Sequence, residues 1–266
     1  MRLNRRLKMI VEQIPPCEIL ADIGTDHAYV PIYAVKTGLC DRALAVDIRT
    51  GPLSAAANNI KRHGLEKLIE TRHGDGLGPV RLSECDVVVV AGMGGLLIRD
   101  ILSSAQDKAK TANLLILQPN SAAEALRKWL YENGFALTCE RLVKDAGKIY
   151  CFINAKWDGK AESKGEFTYY VGDKVFCGNE PLIEEYLRRK LRTVEVIIGG
   201  RSKKRNNESS TCGKCLYYGP VMTEMDAEGD DGYNREASGG SGRISEMSTA
   251  TLINIRNKIK ERMKQL

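Results

Sequence analysis

FALTCERLV (135–143) and KIYCFINA (148–155) are two strand-like runs joined by KDAG (144–147). Gly147 can supply the positive φ that a tight turn needs, so the stretch reads as an antiparallel hairpin. Upstream, short apolar runs alternate with amphipathic stretches. The strand candidates are EILADI (18–23), ALAVDI (43–48), LIETR (68–72), DVVVVA (86–91) and NLLILQP (113–119). Crossover helices fit between them at Tyr29 to Gly38, Pro52 to His63, Gly95 to Ala105 and Ala122 to Asn133. This alternation predicts a doubly wound α/β sheet, with the run of four valines as a central strand buried on both faces.

The hairpin decides the subclass. A dinucleotide-binding sheet adds its sixth strand in parallel, through a helix. A sheet closed by an antiparallel hairpin is, by analogy of fold, the mark of S-adenosylmethionine (SAM) dependent methyltransferases. Beyond Trp157 the pattern changes. Leu182, Ile183, Tyr186, Leu187, Leu191, Val194 and Ile198 recur at helical spacing, as do Leu252, Ile255, Ile259, Met263 and Leu266. These two stripes predict a coiled-coil-like helical hairpin over 158–266. Its connection, roughly 201–243, is rich in Gly, Ser, Lys, Asn and Asp and contains SGGSG. Residues 1–157 hold a complete sheet and every candidate cofactor residue, so they are expected to form the catalytic domain alone.

Composition sets the outer limits. The chain has 266 residues, 43% apolar and 28% charged, with 25 Gly and 8 Pro, which excludes collagen-like and fully disordered classes. Eight cysteines are scattered through it, several inside apolar runs, as expected of reduced thiols in a cytoplasmic protein. No apolar run reaches the roughly 18 residues of a membrane span, and the basic first fifteen residues lack the apolar core of a signal peptide. Cys212-Gly-Lys-Cys215 has no second pair, so no metal site is expected. The net charge is +6 and is concentrated. Arg2, Arg5, Arg6 and Lys8 crowd the N-terminus, and between 188 and 205 eight Lys or Arg, among them Arg188, Arg189, Lys190 and Arg192, face one acid, Glu195. Two basic clusters point to a polyanionic partner; the plain alternative is a solvated helix face.

Five strand ends carry candidate chemistry. ADIGTDHAYVP (21–31) turns from strand to helix at Gly24. The register of a dinucleotide fingerprint would place glycine at Asp26 and Tyr29 as well, and Asp22 and Asp26 would repel a pyrophosphate. SAM carries no phosphate, and its ammonium and sulfonium suit nearby carboxylates. Asp47 lies 25 residues after Asp22, where an acid can accept both ribose hydroxyls; a turn or helix-capping residue is the alternative. Asp75, in HGDGLG (73–78), can meet the adenine amino group, or simply make a turn. AGMGG (91–95) lets backbone approach a planar substrate, or simply makes a helix-packing turn, and LQPN (117–120) offers amides that can read a base edge.

GTDHAYVP, AVD, HGDGL, AGMGG and LQPN, in this order and spacing, closely resemble the bacterial TrmK family of tRNA (adenine-N1)-methyltransferases, which modify adenine 22 of the D-arm. The resemblance covers residues 1–157 strongly and the tail by architecture. It implies SAM as cofactor, S-adenosylhomocysteine as product and tRNA as partner; a cytoplasmic monomer without a stable protein partner is expected beside it. It also implies cofactor contacts from Asp22, Gly24, Thr25, His27, Asp47, Ile48, Asp75, Gly76, Ala91, Gly92 and Met93. Asp26, Tyr29 and Asn120 are the expected catalytic residues; Arg2, Arg5, Arg6, Arg188, Arg189, Lys190 and Arg192 are expected on RNA. The competing readings are a methyltransferase with another substrate, and a non-catalytic RNA-binding protein that keeps a SAM pocket.

Overall fold

A computed structural model describes residues 3–178, 180–209 and 244–266. Five parallel strands, β1 (Cys17–Ile23), β2 (Cys40–Asp47), β3 (Ile69–His73), β4 (Val87–Gly94) and β5 (Leu114–Ser121), precede the hairpin of β6 (Phe135–Asp145) and β7 (Lys148–Trp157). The order across the sheet is β3-β2-β1-β4-β5-β7-β6, with β7 antiparallel to both neighbours. The hairpin link is two residues, not four. Asp145 pairs with Lys148, and Ala146 (φ 45°) and Gly147 (φ 76°) both take the left-handed conformation of a two-residue turn.

The valine run behaves as its composition requires. Val88 and Val90 point to one face of the sheet, Val87 and Val89 to the other, and all four are buried. One face is covered by α1 (Arg5–Val11), α2 (Tyr29–Lys36) and α3 (Thr50–Arg62), through Ile10, Val30, Ile32 and Ile60. The other is covered by α4 (Gly95–Ser104), the short α5 (Gln106–Thr111) and α6 (Ala123–Glu132), through Ile98, Leu102, Ala109, Leu126 and Leu130.

The tail extends that second face. Its helices are α7 (Glu166–Val171), α8 (Glu180–Ser209) and α9 (Thr249–Met263). The α8 and α9 helices pack on each other, yet Tyr170, Tyr186, Leu187, Val194, Leu252 and Ile255 join the same apolar core as α4 and α6. The core therefore runs across the expected boundary at Trp157. A polar clamp reinforces it. The fully buried Arg127 on α6 donates from Nε to Glu140 Oε1 (2.7 Å) and from Nη1 to the carbonyls of Tyr169 (2.9 Å) and Tyr170 (3.4 Å). Residues 1–157 thus leave both an apolar face and a buried guanidinium without their covers. The α8 helix also passes position 201, where the connection was expected to begin. Arg201 still has partners there, donating to the carbonyls of Ser245 and Met247 (2.6 Å each). Most of the expected connection, including Cys212, Cys215 and SGGSG, lies outside the described residues.

Candidate active site

The carboxyl ends of β1, β2 and β4 converge at the sheet's switch point, where strand order reverses and open α/β sheets bind ligands. The chain turns at Gly24, whose left-handed φ (73°) no other residue adopts cheaply, and an added Cβ there would strike the side chain of Met93. The Gly24 and Thr25 amides both donate to Val46 O (2.8 and 2.9 Å), which ties the β1 loop to the end of β2.

Two buried carboxylates face this junction. Asp22 accepts a hydrogen bond from the Thr25 hydroxyl (2.7 Å). Burial pushes its pKa up to about 6; the Thr25 bond opposes the shift and the charge of Asp47 adds to it. Asp47 accepts from the Arg49 amide at Oδ1 (2.8 Å), so it holds the turn while staying buried. Arg49, not Asp47, occupies the N-cap position of α3, and its side chain makes no capping bond. The Gly74 amide donates to Asp47 O (3.1 Å), which brings the β3 loop with exposed Asp75 and half-buried Gly76 alongside half-buried Ile48. Acids at neighbouring strand ends fit a ligand with a cation and hydroxyls, and disfavour a phosphate.

Thr25 is followed by an unusual segment. His27 (φ 46°) and Ala28 (φ 53°) are both left-handed without being glycine, a conformation that costs energy and gathers at functional sites. Asn59 on α3 holds it, donating from Nδ2 to His27 O (2.8 Å). The outcome is a platform: the His27 and Tyr29 rings stack with centroids 5.4 Å apart, and Tyr29 is 39% exposed. Asp26 projects into solvent, 3.5 Å from His27 Nε2. At the neighbouring strand ends, Asn120 Nδ2 donates to Gly92 O (2.8 Å). Of the two amides in LQPN only Asn120 is exposed; Gln118 is fully buried and cannot reach a base.

The methyltransferase-domain family matches residues 3–153. The chain is 39% identical over 172 residues to the Bacillus subtilis tRNA (adenine(22)-N(1))-methyltransferase, across 62% of this chain and 72% of that one. The crystal structure of the B. subtilis m1A22 tRNA methyltransferase TrmK aligns with a TM-score of 0.69, at 27% identity, over 98% of this chain and 99% of that one. The chain belongs to the TrmK family. A Streptococcus pneumoniae protein solved in complex with SAM aligns with a TM-score of 0.68, at 30% identity, over 76% of this chain and 94% of that one.

Within this family frame the basic residues divide. Arg5 and Arg192 are exposed, Arg188 pairs with Glu184 (2.6 Å), and Arg189 pairs with Glu185 (2.7 Å) and the Gly147 carbonyl (2.9 Å). Two expected RNA contacts turn inward instead. Lys190 Nζ sits 4.2 Å from the centre of the Tyr170 ring; burial, helped by the nearby Arg127 charge, lowers its pKa to about 8. Arg6 reaches down to Gln118 (3.3 Å). Arg2 lies outside the described residues. Among the described residues no group of three or more His, Cys, Asp or Glu side chains could hold a metal, and no helix is long and apolar enough to cross a membrane. Sequence reasoning missed Asn59 and Arg127, polar residues whose partners lie far along the chain, and took Gln118 for a base reader.

Proposed function

We propose that the chain transfers a methyl group from SAM to N1 of adenine 22 in the D-arm of tRNA. The observation that carries this reading is the pair of buried carboxylates, Asp22 and Asp47, at one sheet end with the exposed Tyr29 platform. SAM supplies an electrophilic methyl group. Asp22 faces its ammonium, Asp47 its ribose hydroxyls and Asp75 its adenine amino group, while Gly24, Thr25, His27, Ile48, Gly76, Ala91, Gly92 and Met93 enclose it. The N1 lone pair needs no base to become nucleophilic, so positioning supplies much of the rate. Tyr29 stacks on the target base; Asn120 and Asp26 hold its N6 amino group and favour the positive charge that develops on methylation. N1 is on the pairing edge, so the base must leave its stack at a cost of about a few kcal/mol. Phosphate contacts from Arg5, Arg188, Arg189 and Arg192 offset that cost.

Apart from the exposed Leu266, the two apolar stripes of the tail find their partners within one chain, which supports a monomer without a stable protein partner. A tRNA substrate supports action in the cytoplasm. Incubation with labelled SAM and unmodified tRNA, followed by nucleoside analysis, tests the reading. The expected product is 1-methyladenosine at position 22; label on another nucleoside, on protein or nowhere overturns it.

Cofactor affinity should depend on pH through Asp22. Its pKa is about 6 in the fold against an ordinary value of 3.8, so between about pH 4 and 6 the folded chain holds a proton that the unfolded chain releases. This carboxyl therefore lowers stability as pH rises through that window and adds nothing further above it. A bound cation favours the ionised form. SAM should then displace the proton below pH 6, losing up to about tenfold in affinity per pH unit as acidity increases. Calorimetry at pH 5 to 7.5 in buffers of different ionisation enthalpy reads both effects. Asp22→Asn should bind weakly with a flattened profile, and a wild-type profile without slope would remove Asp22 from the cofactor.

A further inference from the structure

We propose that Arg6 is a positioning residue that sets the orientation of the Asn120 amide at the methyl-transfer site, and not a phosphate contact; the proposal rests on the methyltransferase reading above. Arg6 is held from both sides. Asn4 caps α1 by accepting the Leu7 amide (2.8 Å), Ile10 and Val11 pin the helix to the sheet, and the Arg6 guanidinium lies 5.8 Å from the centre of the Tyr150 ring. From there Nη1 donates to Gln118 Oε1 (3.3 Å), which also accepts the Gly92 amide (3.2 Å). Both donors are obligatory, since a guanidinium and a backbone N–H cannot accept. The Gln118 amide therefore has one orientation, with Nε2 turned to Asn120 Oδ1 (2.9 Å). That in turn directs Asn120 Nδ2 to the Gly92 carbonyl (2.8 Å).

The relay decides what the substrate meets. Asn120 is exposed at the end of β5, with one Oδ1 lone pair and one Nδ2 hydrogen left after its internal bonds. That oxygen can accept from the N6 amino group of an adenine only while the amide is held in this sense. A flipped Asn120 would present its own donor to that donor, and the relay, with Arg6 and the Gly92 amide both on Gln118, opposes the flip. Arg6 supplies the charge-assisted end of the chain, and it does so from a helix whose other arginine, Arg5, is exposed.

Four variants separate this role from RNA binding. Arg6→Ala should lower kcat about tenfold with SAM affinity, tRNA KM and the salt dependence of tRNA binding near wild type, and Arg6→Lys should recover part of the loss. Gln118→Glu keeps an acceptor for Arg6 but loses the donor to Asn120, so kcat should fall at least as far. Arg192→Ala, by contrast, should raise the tRNA KM and flatten the salt dependence of tRNA binding, with the Gln118 and Asn120 amide signals unmoved. In NMR spectra of the cofactor-free protein, the side-chain amide signals of Gln118 and Asn120 should shift in Arg6→Ala. An Arg6→Ala enzyme with full kcat, or one whose main change is a flatter salt dependence, overturns the proposal, as do unmoved amide signals. Failure of the wild type to methylate tRNA would sink the functional reading alone, because the amide signals still report on Arg6.

Discussion

Glu140→Ala is expected to destabilise the fold by about 3–5 kcal/mol, the usual cost of leaving one partner of a buried ion pair behind. Arg127 and Glu140 are both fully buried, and the guanidinium has no route to water. Arg127→Met should be nearly as damaging, since it removes the counter-charge of the buried carboxylate and also the donor to the Tyr169 and Tyr170 carbonyls. The double variant Arg127→Met/Glu140→Leu is the informative one. An apolar pair often replaces a buried ion pair at no cost. Here two carbonyls would still lose a donor, at about 1–3 kcal/mol for a buried unsatisfied group, so recovery should be incomplete. Urea unfolding of the wild type, Arg127→Met, Glu140→Leu and the double variant gives the coupling energy. A coupling energy near zero would mean that the clamp holds nothing together. The same geometry bears on the tail: α7 is fastened to α6 through this arginine, so limited proteolysis of the single variants should cut first between Trp157 and α7.

The central features were readable because they rest on period and composition. Four successive valines cannot alternate in polarity, so Val87–Val90 had to be buried on both faces. The two apolar runs around KDAG could close only as a hairpin, although Ala146 shares the left-handed turn with Gly147, a position at which alanine gives no signal. The stripes of α8 and α9 were equally plain. Their docking against α4 and α6 was not, because a stripe reveals that a face is covered and not by what. Arg127 was illegible for the same reason: one arginine in an amphipathic pattern looks solvated until its partners, 13 to 43 residues away, are known. Charge clustering misled at Arg6 and Lys190. Both lie within basic runs, and their inward direction depends on Gln118 and Tyr170, which neither run contains. Among the site residues, Asp22, Gly24 and Asp47 stood out as strand-end acids beside a glycine turn. The strained His27-Ala28 step and its Asn59 brace depend on the approach of α3, so they emerged only with the fold.

That strained step leads to the second large effect. Tyr29→Ala is expected to reduce methyl transfer to tRNA by about 5- to 150-fold, the equivalent of the 1–3 kcal/mol that stacking one base on an aromatic ring provides. SAM affinity should change much less, because Asp22, Thr25 and Asp47 are held by Val46 and Arg49 rather than by Tyr29. Tyr29→Phe divides the ring from its hydroxyl. If stacking carries the effect, phenylalanine keeps most of the rate; if the hydroxyl contacts the base, phenylalanine resembles alanine. His27→Ala tests the platform itself. The imidazole lies against the Tyr29 ring at 5.4 Å, so its removal should free the tyrosine to turn and lower kcat while leaving the hydroxyl chemistry intact. Parental turnover in Tyr29→Ala would remove the ring from the reaction. The left-handed His27 and Ala28 would then need another explanation, since two strained residues held in place by a dedicated asparagine are costly to keep for a surface turn.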